Sequence, residues 1–276
     1  MMDAQRKVEE EEEGYEMVAM DVRIIDKKDR KIVVQIDDID ISFANALRRI
    51  MLNEIPVLSI DDVNFIDNNS GFYDEILAHR LGLIPLTFSN LNLKSECKCN
   101  GKGCINCEVS ISLNKKGPCV VKAGDIISSL ADVNPLDPEI LLVELLEGQS
   151  VKLEAIARLG LGSDHAKWQP AVVGYRYFPI VRTKDKEDLA PALKICPQGV
   201  YGKKDGSIGV VKSINCDLCM RCTEVTDSIS ISYDDTKFIF TIESVSGMSA
   251  EDIFIQALDI LGQKSKDFIK TVKSEL

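Results

Sequence analysis

Eight of the nine cysteines in this 276-residue chain fall into two groups of four, and any fold for it must gather each group. Cys216-Asp-Leu-Cys219-Met-Arg-Cys222 is a CxxCxxC loop, and a fourth thiol stands upstream in the pair Cys196-Pro197. Three thiolates on one loop, with a Cys-Pro thiolate arriving from another element, make the ligand set of one 4Fe–4S cubane. A second cubane would need another CxxCxxC before Cys196 and a cysteine four residues after Cys222. Position 226 is threonine, and residues 185–194 contain no cysteine. One cluster fits and two do not; a zinc ion on the same four thiols is the alternative.

The other group, Cys97-Lys-Cys99-Asn-Gly-Lys-Gly-Cys104-Ile-Asn-Cys107, joins a CxC to a CxxC through a glycine-rich turn. Gly101 and Gly103 permit the fold-back that brings four thiols onto one tetrahedral ion. Zn²⁺ suits such a set, and four thiolates leave no open position, so an ion here would staple a loop and activate nothing. A reduced metal-free loop, or one holding disulfides, is the other reading. The ninth thiol, Cys119, reads as a small buried apolar residue.

The chain carries a net charge of −11 with 28% charged and 45% hydrophobic residues, ordinary proportions for a globular protein but a poor balance for gripping phosphates. Direct DNA binding is not expected. With no apolar run of about 18 residues and an acidic start, neither a membrane span nor a secretory leader is expected, and the chain reads as cytoplasmic. Glu9 to Glu13 repel one another, so residues 1–16 read as a solvated tail. Two histidines, His79 and His165, are too few for a histidine-based zinc enzyme or triad. His79 reads as structural, between Leu77 and Leu81 of a helix; His165 reads as a surface or interface residue.

Taken in order, Val22 to Ile36 predicts a hairpin around Lys27-Lys-Asp-Arg30. A helix follows from Ser42, a candidate N-cap, and stops before Pro56. Its apolar face carries Phe43, Ala46, Leu47, Ile50 and Met51. Asp37, Asp38 and Asp40 read as turn and cap residues, since no carboxylate-rich loop completes a cation shell. From Val57 to about Pro170 short strands alternate with turns, interrupted by a helix over Tyr73–Leu81. A strand-rich stretch spans Ser228 to Val245. Ser249-Ala-Glu-Asp252 then opens, as a capping box, a helix running to about Ser274. Phe254, Leu258, Leu261, Phe268 and Val272 stripe that helix. It is longer than a small domain can cover, which predicts a partner subunit, although a role inside the chain stays open.

Two stretches carry a family resemblance. Asn45-Ala-Leu-Arg-Arg-Ile50 with Ile55-Pro56 resembles the signature helix of the α-type RNA polymerase dimerisation domain. Asp74-Glu-Ile-Leu-Ala-His-Arg-Leu-Gly-Leu-Ile-Pro85 resembles that family's most characteristic run. With the cysteines, the likeness extends from about Met17 to the C-terminus and is to the archaeal D-type RNA polymerase subunits, the counterparts of bacterial α and of the third-largest subunit of eukaryotic polymerase II. The resemblance implies an α+β fold: a dimerisation domain split over 17–57, 171–184 and 226–276, a β-rich insert at 58–170 and a ferredoxin-like 4Fe–4S domain at 185–225. It implies a heterodimer with a small subunit L, through Phe43–Met51 and the C-terminal helix. With subunits N and P, that pair would form the platform for the large catalytic subunits. Nucleotidyl transfer needs clustered aspartates holding Mg²⁺, and no such constellation occurs here, so no catalytic residue is assigned. The rival from another class is an iron–sulfur electron carrier or oxidoreductase subunit; it lacks a visible partner centre for the electron.

Overall fold

The computed structural model describes residues 20–184, 189–204 and 207–275, so the tail expected at 1–16 lies outside the described residues. In chain order, strands β1 (Asp21–Lys28) and β2 (Lys31–Asp37) form the opening hairpin and lead into helix α1 (Ile41–Asn53). Then come β3 (Val57–Asn68), α2 (Asp74–Gly82), β4 (Glu108–Lys116), β5 (Cys119–Lys122), β6 (Ile127–Ser128), β7 (Leu141–Leu145) and β8 (Ser150–Gly160). Strand β9 (Ala171–Thr183) precedes a small unit of α3 (Ala190–Ile195), β10 (Tyr201–Lys204) and β11 (Ser207–Val210). The chain closes with β12 (Ile229–Ser244) and α4 (Ala250–Glu275).

Three antiparallel cores follow. Segments far apart in sequence make the sheet β1-β2-β12-β9. Ile32, Val34 and Ile36 from β2 and Phe238, Phe240 and Ile242 from β12 pack with Leu47, Ile50 and Met51 of α1 and Ile253 and Ala257 of α4. A second sheet, β3-β8-β4-β6, alternates buried and outward residues along β8, with Val151, Leu153, Ala155, Ala157 and Leu159 pointing in; α2 contributes Leu77 and Leu81. The third core is built on arms. Strands β9 and β12 continue past a bulge between Asp234 and Phe238, and their far ends, paired as Ile231↔Val181 and Ile229↔Thr183, support α3, β10 and β11. Two strands thus serve both the large sheet and the small cysteine-bearing unit.

Helix starts differ in detail from those expected. Asp40, not Ser42, caps α1: its extended backbone lets the carboxylate accept from the Phe43 amide at 2.7 Å, and Ser42 already lies inside the helix. Ser249 does cap α4, accepting from the Asp252 amide at 3.0 Å while its hydroxyl donates to the Asp252 carboxylate at 2.6 Å. Cys119, at the start of the short strand β5, is half-buried and packs against the second core.

The crossing from β8 back to the large sheet is held by a polar knot. Asp61 on β3 pairs with both Arg158 and Lys167. The Lys167 ammonium lies 4.4 Å from the centre of the Trp168 ring, and Trp168 donates its indole N–H to the Arg158 carbonyl at 3.2 Å. Gly160 makes the seat for that ring, since a Cβ there would lie 2.3 Å from it. Overpacking of this kind costs about 1–3 kcal/mol. Gly160→Ala should therefore destabilise the chain by about that much, and the emission of Trp168, the sole tryptophan, should shift to the red. An unchanged emission maximum would show that the ring does not rest on Gly160.

Candidate metal centres and subunit interface

The first quartet is assembled by one loop between α2 and β4. Asn100, Gly101 and Gly103 take left-handed backbone angles, and a side chain at Gly103 would run into Glu108, itself held by Lys94 at 2.5 Å. The loop therefore turns back sharply, and all four Sγ atoms of Cys97, Cys99, Cys104 and Cys107 come within 4.8 Å of one another. The Cys97–Cys104, Cys99–Cys107 and Cys104–Cys107 separations are 3.5, 3.6 and 3.8 Å. A metal–sulfur bond of about 2.3 Å in a tetrahedron gives an edge of about 3.8 Å, so the cradle has the size of one four-coordinate ion. Burial pushes the Cys107 thiol up to about 12. Burial also acts upward on Cys99, but the neighbouring Cys97 and Cys107 thiols outweigh it and bring Cys99 down to about 7.

The second quartet is brought together by several elements. Helix α3 ends at Ile195, and Cys196 caps it by donating its amide to the Ala192 carbonyl at 3.0 Å. The CxxCxxC loop follows β11, with Leu218 and Met220 both at positive φ near 60°. Non-glycine residues hold that conformation only where their surroundings demand it. Cys196, Cys216, Cys219 and Cys222 line one cavity together with Val200, Tyr201 and Ile231. Among the described residues only the first quartet brings its sulfurs within 4.8 Å of one another, and the second surrounds its cavity more widely. Burial pushes the Cys216 thiol up, opposed by the Leu218 amide.

Two residues of this centre carry no mark in the sequence. Arg176, on β9, donates to the carbonyls of Cys216 and Ile214 at 2.7 Å each, tying the loop to the large sheet. Tyr201 is buried with no nitrogen or oxygen partner for its hydroxyl, and burial drives its titration far upward, with the hydroxyl's interaction with the Cys222 thiol next in effect. Arg176 acts through strand pairing, and in sequence Tyr201 is one more strand residue among apolar neighbours.

The residues expected at an interface divide. Leu47, Ile50 and Met51 are fully buried in the chain's own core and present nothing to a partner; the sheet and α4 cover the face that was expected to remain open. Phe43 and Ala46 are half-buried, as are Phe254 and Leu261, which pack on that core. Leu258 and Phe268 are exposed, Phe268 at 71%. Every residue from Gly262 to Glu275 is exposed. Ile255 and Leu258 and, beyond Gly262 and Ser265, Ile269 and Val272 are two exposed apolar pairs, each three residues apart, on one side of α4. On the sheet, Val22 and Ile24 pair with Ile36 and Val34 and so share their face, yet stand about half exposed beyond the helices. Lys27 on the same hairpin reaches Glu251 of α4 at 2.5 Å, so strand edge and helix adjoin. His79 is exposed on the outer side of α2 instead of packed between Leu77 and Leu81. His165 is exposed; its Nδ1 accepts from the Lys167 amide at 3.0 Å.

The comparisons with known proteins fit this architecture. Residues 63–173 match the RNA polymerase Rpb3/RpoA insert domain, the stretch folded as the second sheet. The chain is 38% identical to a DNA-directed RNA polymerase subunit Rpo3 of Methanothermobacter thermautotrophicus, over 91% of this chain and 98% of that one. It belongs to the Rpb3/RpoA family of RNA polymerase subunits. The Archaeoglobus fulgidus Rpo3 is 37% identical over 92% and 98% of the two chains. A Dictyostelium discoideum DNA-directed RNA polymerase II subunit rpb3 is 34% identical over 90% and 93%. In this Rpb3/RpoA chain the split sheet, the insert and a four-thiol cradle are all present, and no helix among the described residues is long and apolar enough to cross a membrane.

An ion in the first cradle must displace thiol protons, so affinity should fall as pH falls. The loss should steepen below about pH 7, where Cys99 takes up a proton as well. Calorimetric titration with Zn²⁺ in buffers of different ionisation enthalpy would show proton release; a pH-independent affinity would contradict four-thiolate ligation.

Proposed function

We propose that the chain is a non-catalytic assembly subunit of a cytoplasmic DNA-dependent RNA polymerase, of the archaeal D type. The observation that carries this is the uncovered apolar stripe of α4 beside the exposed face of β1, on a chain whose relatives are polymerase subunits by name. A helix of about 21 Å standing in solvent with isoleucine, valine and phenylalanine on it is unstable alone and gains most by burial against another helix. A small subunit, L, with an equivalent helix is the proposed occupant; N, P and the large catalytic subunits would then assemble on the pair. Residues 17–57, 171–184 and 226–276 would be the dimerisation domain, 58–170 the insert and 185–225 the cluster domain. The net charge of −11 suits contact with other subunits better than with DNA.

We assign one 4Fe–4S cluster to Cys196, Cys216, Cys219 and Cys222, and one Zn²⁺ to Cys97, Cys99, Cys104 and Cys107. The donor chemistry and the two spacings support this split: one quartet closes to single-ion size, and the sulfurs of the other stand farther apart around a buried hydroxyl, as ligands to separate corners of a cubane would. When bound, the cluster supplies a four-point cross-link with redox capacity. The chain's own part is positional. Helix α3 delivers Cys196, Arg176 holds the carbonyl of Cys216, and β9 and β12 carry both to the dimerisation sheet. The rival reading as an electron carrier has no support among the relatives.

Phe268→Glu places a charge on an exposed site and leaves the core intact. It should weaken binding of subunit L by at least about tenfold, some 1.4 kcal/mol or more, with the thermal midpoint of the free chain unchanged. Equal affinity for variant and parent would remove α4 from the interface. Anaerobic metal analysis tests the other half: about four iron, four sulfide and one zinc per chain are expected.

A further inference from the structure

Tyr201 is only 4% exposed, and its hydroxyl is the one buried side-chain polar atom among the described residues that meets no nitrogen or oxygen; the one polar group it faces is the Cys222 thiol. An orphaned buried hydroxyl costs about 1–3 kcal/mol, so such groups are kept where something absent from the bare chain accepts from them. Its ring belongs to the small third core with Val200, Cys216, Cys222 and Ile229, and the cavity it lines holds the four thiols Cys196, Cys216, Cys219 and Cys222. Strand β10 fixes it there: Tyr201 pairs with Val210, and the Val211 and Lys212 amides both donate to the carbonyl of Val200. No carbonyl or carboxylate among the described residues accepts from it. What the site would offer instead is sulfur.

We propose that the Tyr201 hydroxyl donates a hydrogen bond to a sulfur of the iron–sulfur cluster held by Cys196, Cys216, Cys219 and Cys222, and thereby sets its reduction potential. This rests on the cluster assignment above and deepens it. A donor at a cluster sulfur favours the reduced form, which carries the extra negative charge, so it raises the potential. The residue positions and tunes the group; it is not a ligand.

The test compares the full-length parent with Tyr201→Phe, both purified anaerobically, by iron and sulfide content and by a redox titration followed by absorbance and electron paramagnetic resonance. The phenylalanine keeps the ring packing, so iron and sulfide should be equal. The variant's potential should be more negative, with the reduced-to-oxidised ratio at a fixed potential lower by roughly fivefold, the worth of one buried hydrogen bond. Equal metal content with an unmoved potential would overturn the proposal and leave the cluster assignment standing. A parent without iron, or with zinc alone at these thiols, would sink the cluster assignment and this proposal with it. Should Tyr201→Phe fail to fold, parent protein carrying fluorotyrosine, a stronger donor, should shift the potential upward; no shift would count against the proposal equally.

Discussion

Strand β9 paired to β12 is the interaction on which everything else depends. Over 171–177 and 238–244 the two strands form one side of the large sheet, β12 inside and β9 at the edge, and over 178–183 and 229–234 they run on as a two-stranded arm. The sheet half gives α1 and α4 a surface to cover, with Phe238 and Phe240 completely buried between the layers. The arm half supports the third core, and Arg176, on the sheet half of β9, grips the CxxCxxC loop. The loss of register between Asp234 and Phe238 separates these duties, since a bulge lets one strand bend away from its sheet without ending.

The two thiol quartets differ because the elements that deliver them differ. A single loop with three left-handed positions can pull four sulfurs into the space of one ion, and 97–107 does so. In the second quartet a helix end carries Cys196 and one loop carries Cys216, Cys219 and Cys222, and the cavity between them is lined by Val200, Tyr201 and Ile231 as well as sulfur.

Much of this was legible in the residues. The hairpin around Lys27–Arg30, α2 with Asp74 and Glu75 in its first turn, and the capped start of α4 at Ser249 all follow from local periodicity and capping, which short-range sterics and hydrogen bonds enforce. The fold-back at Gly101 and Gly103 was legible for the same reason. What failed was whatever depends on a distant neighbour. An apolar stripe states that Leu47, Ile50 and Met51 will be buried but not by what, and the chain's own sheet reached them first. His79 lay between two core leucines in sequence, yet helical rotation turns it away from them. Arg176 and Tyr201 matter only through strand register and a cavity formed by residues up to forty positions away, and neither leaves a mark in the order of amino acids.

The central claim is that the outer stripe of α4 and the exposed side of β1 are surfaces awaiting another subunit. Hydrogen exchange followed by mass spectrometry, on the free chain and on the chain within the assembled polymerase, addresses it most directly. Amides of 262–275 and of 21–26 should exchange quickly in the free chain and become strongly protected on assembly, while β12 stays protected in both. If the end of α4 is equally protected in the free chain, or stays unprotected in the complex, the surface is no subunit interface and the account is wrong.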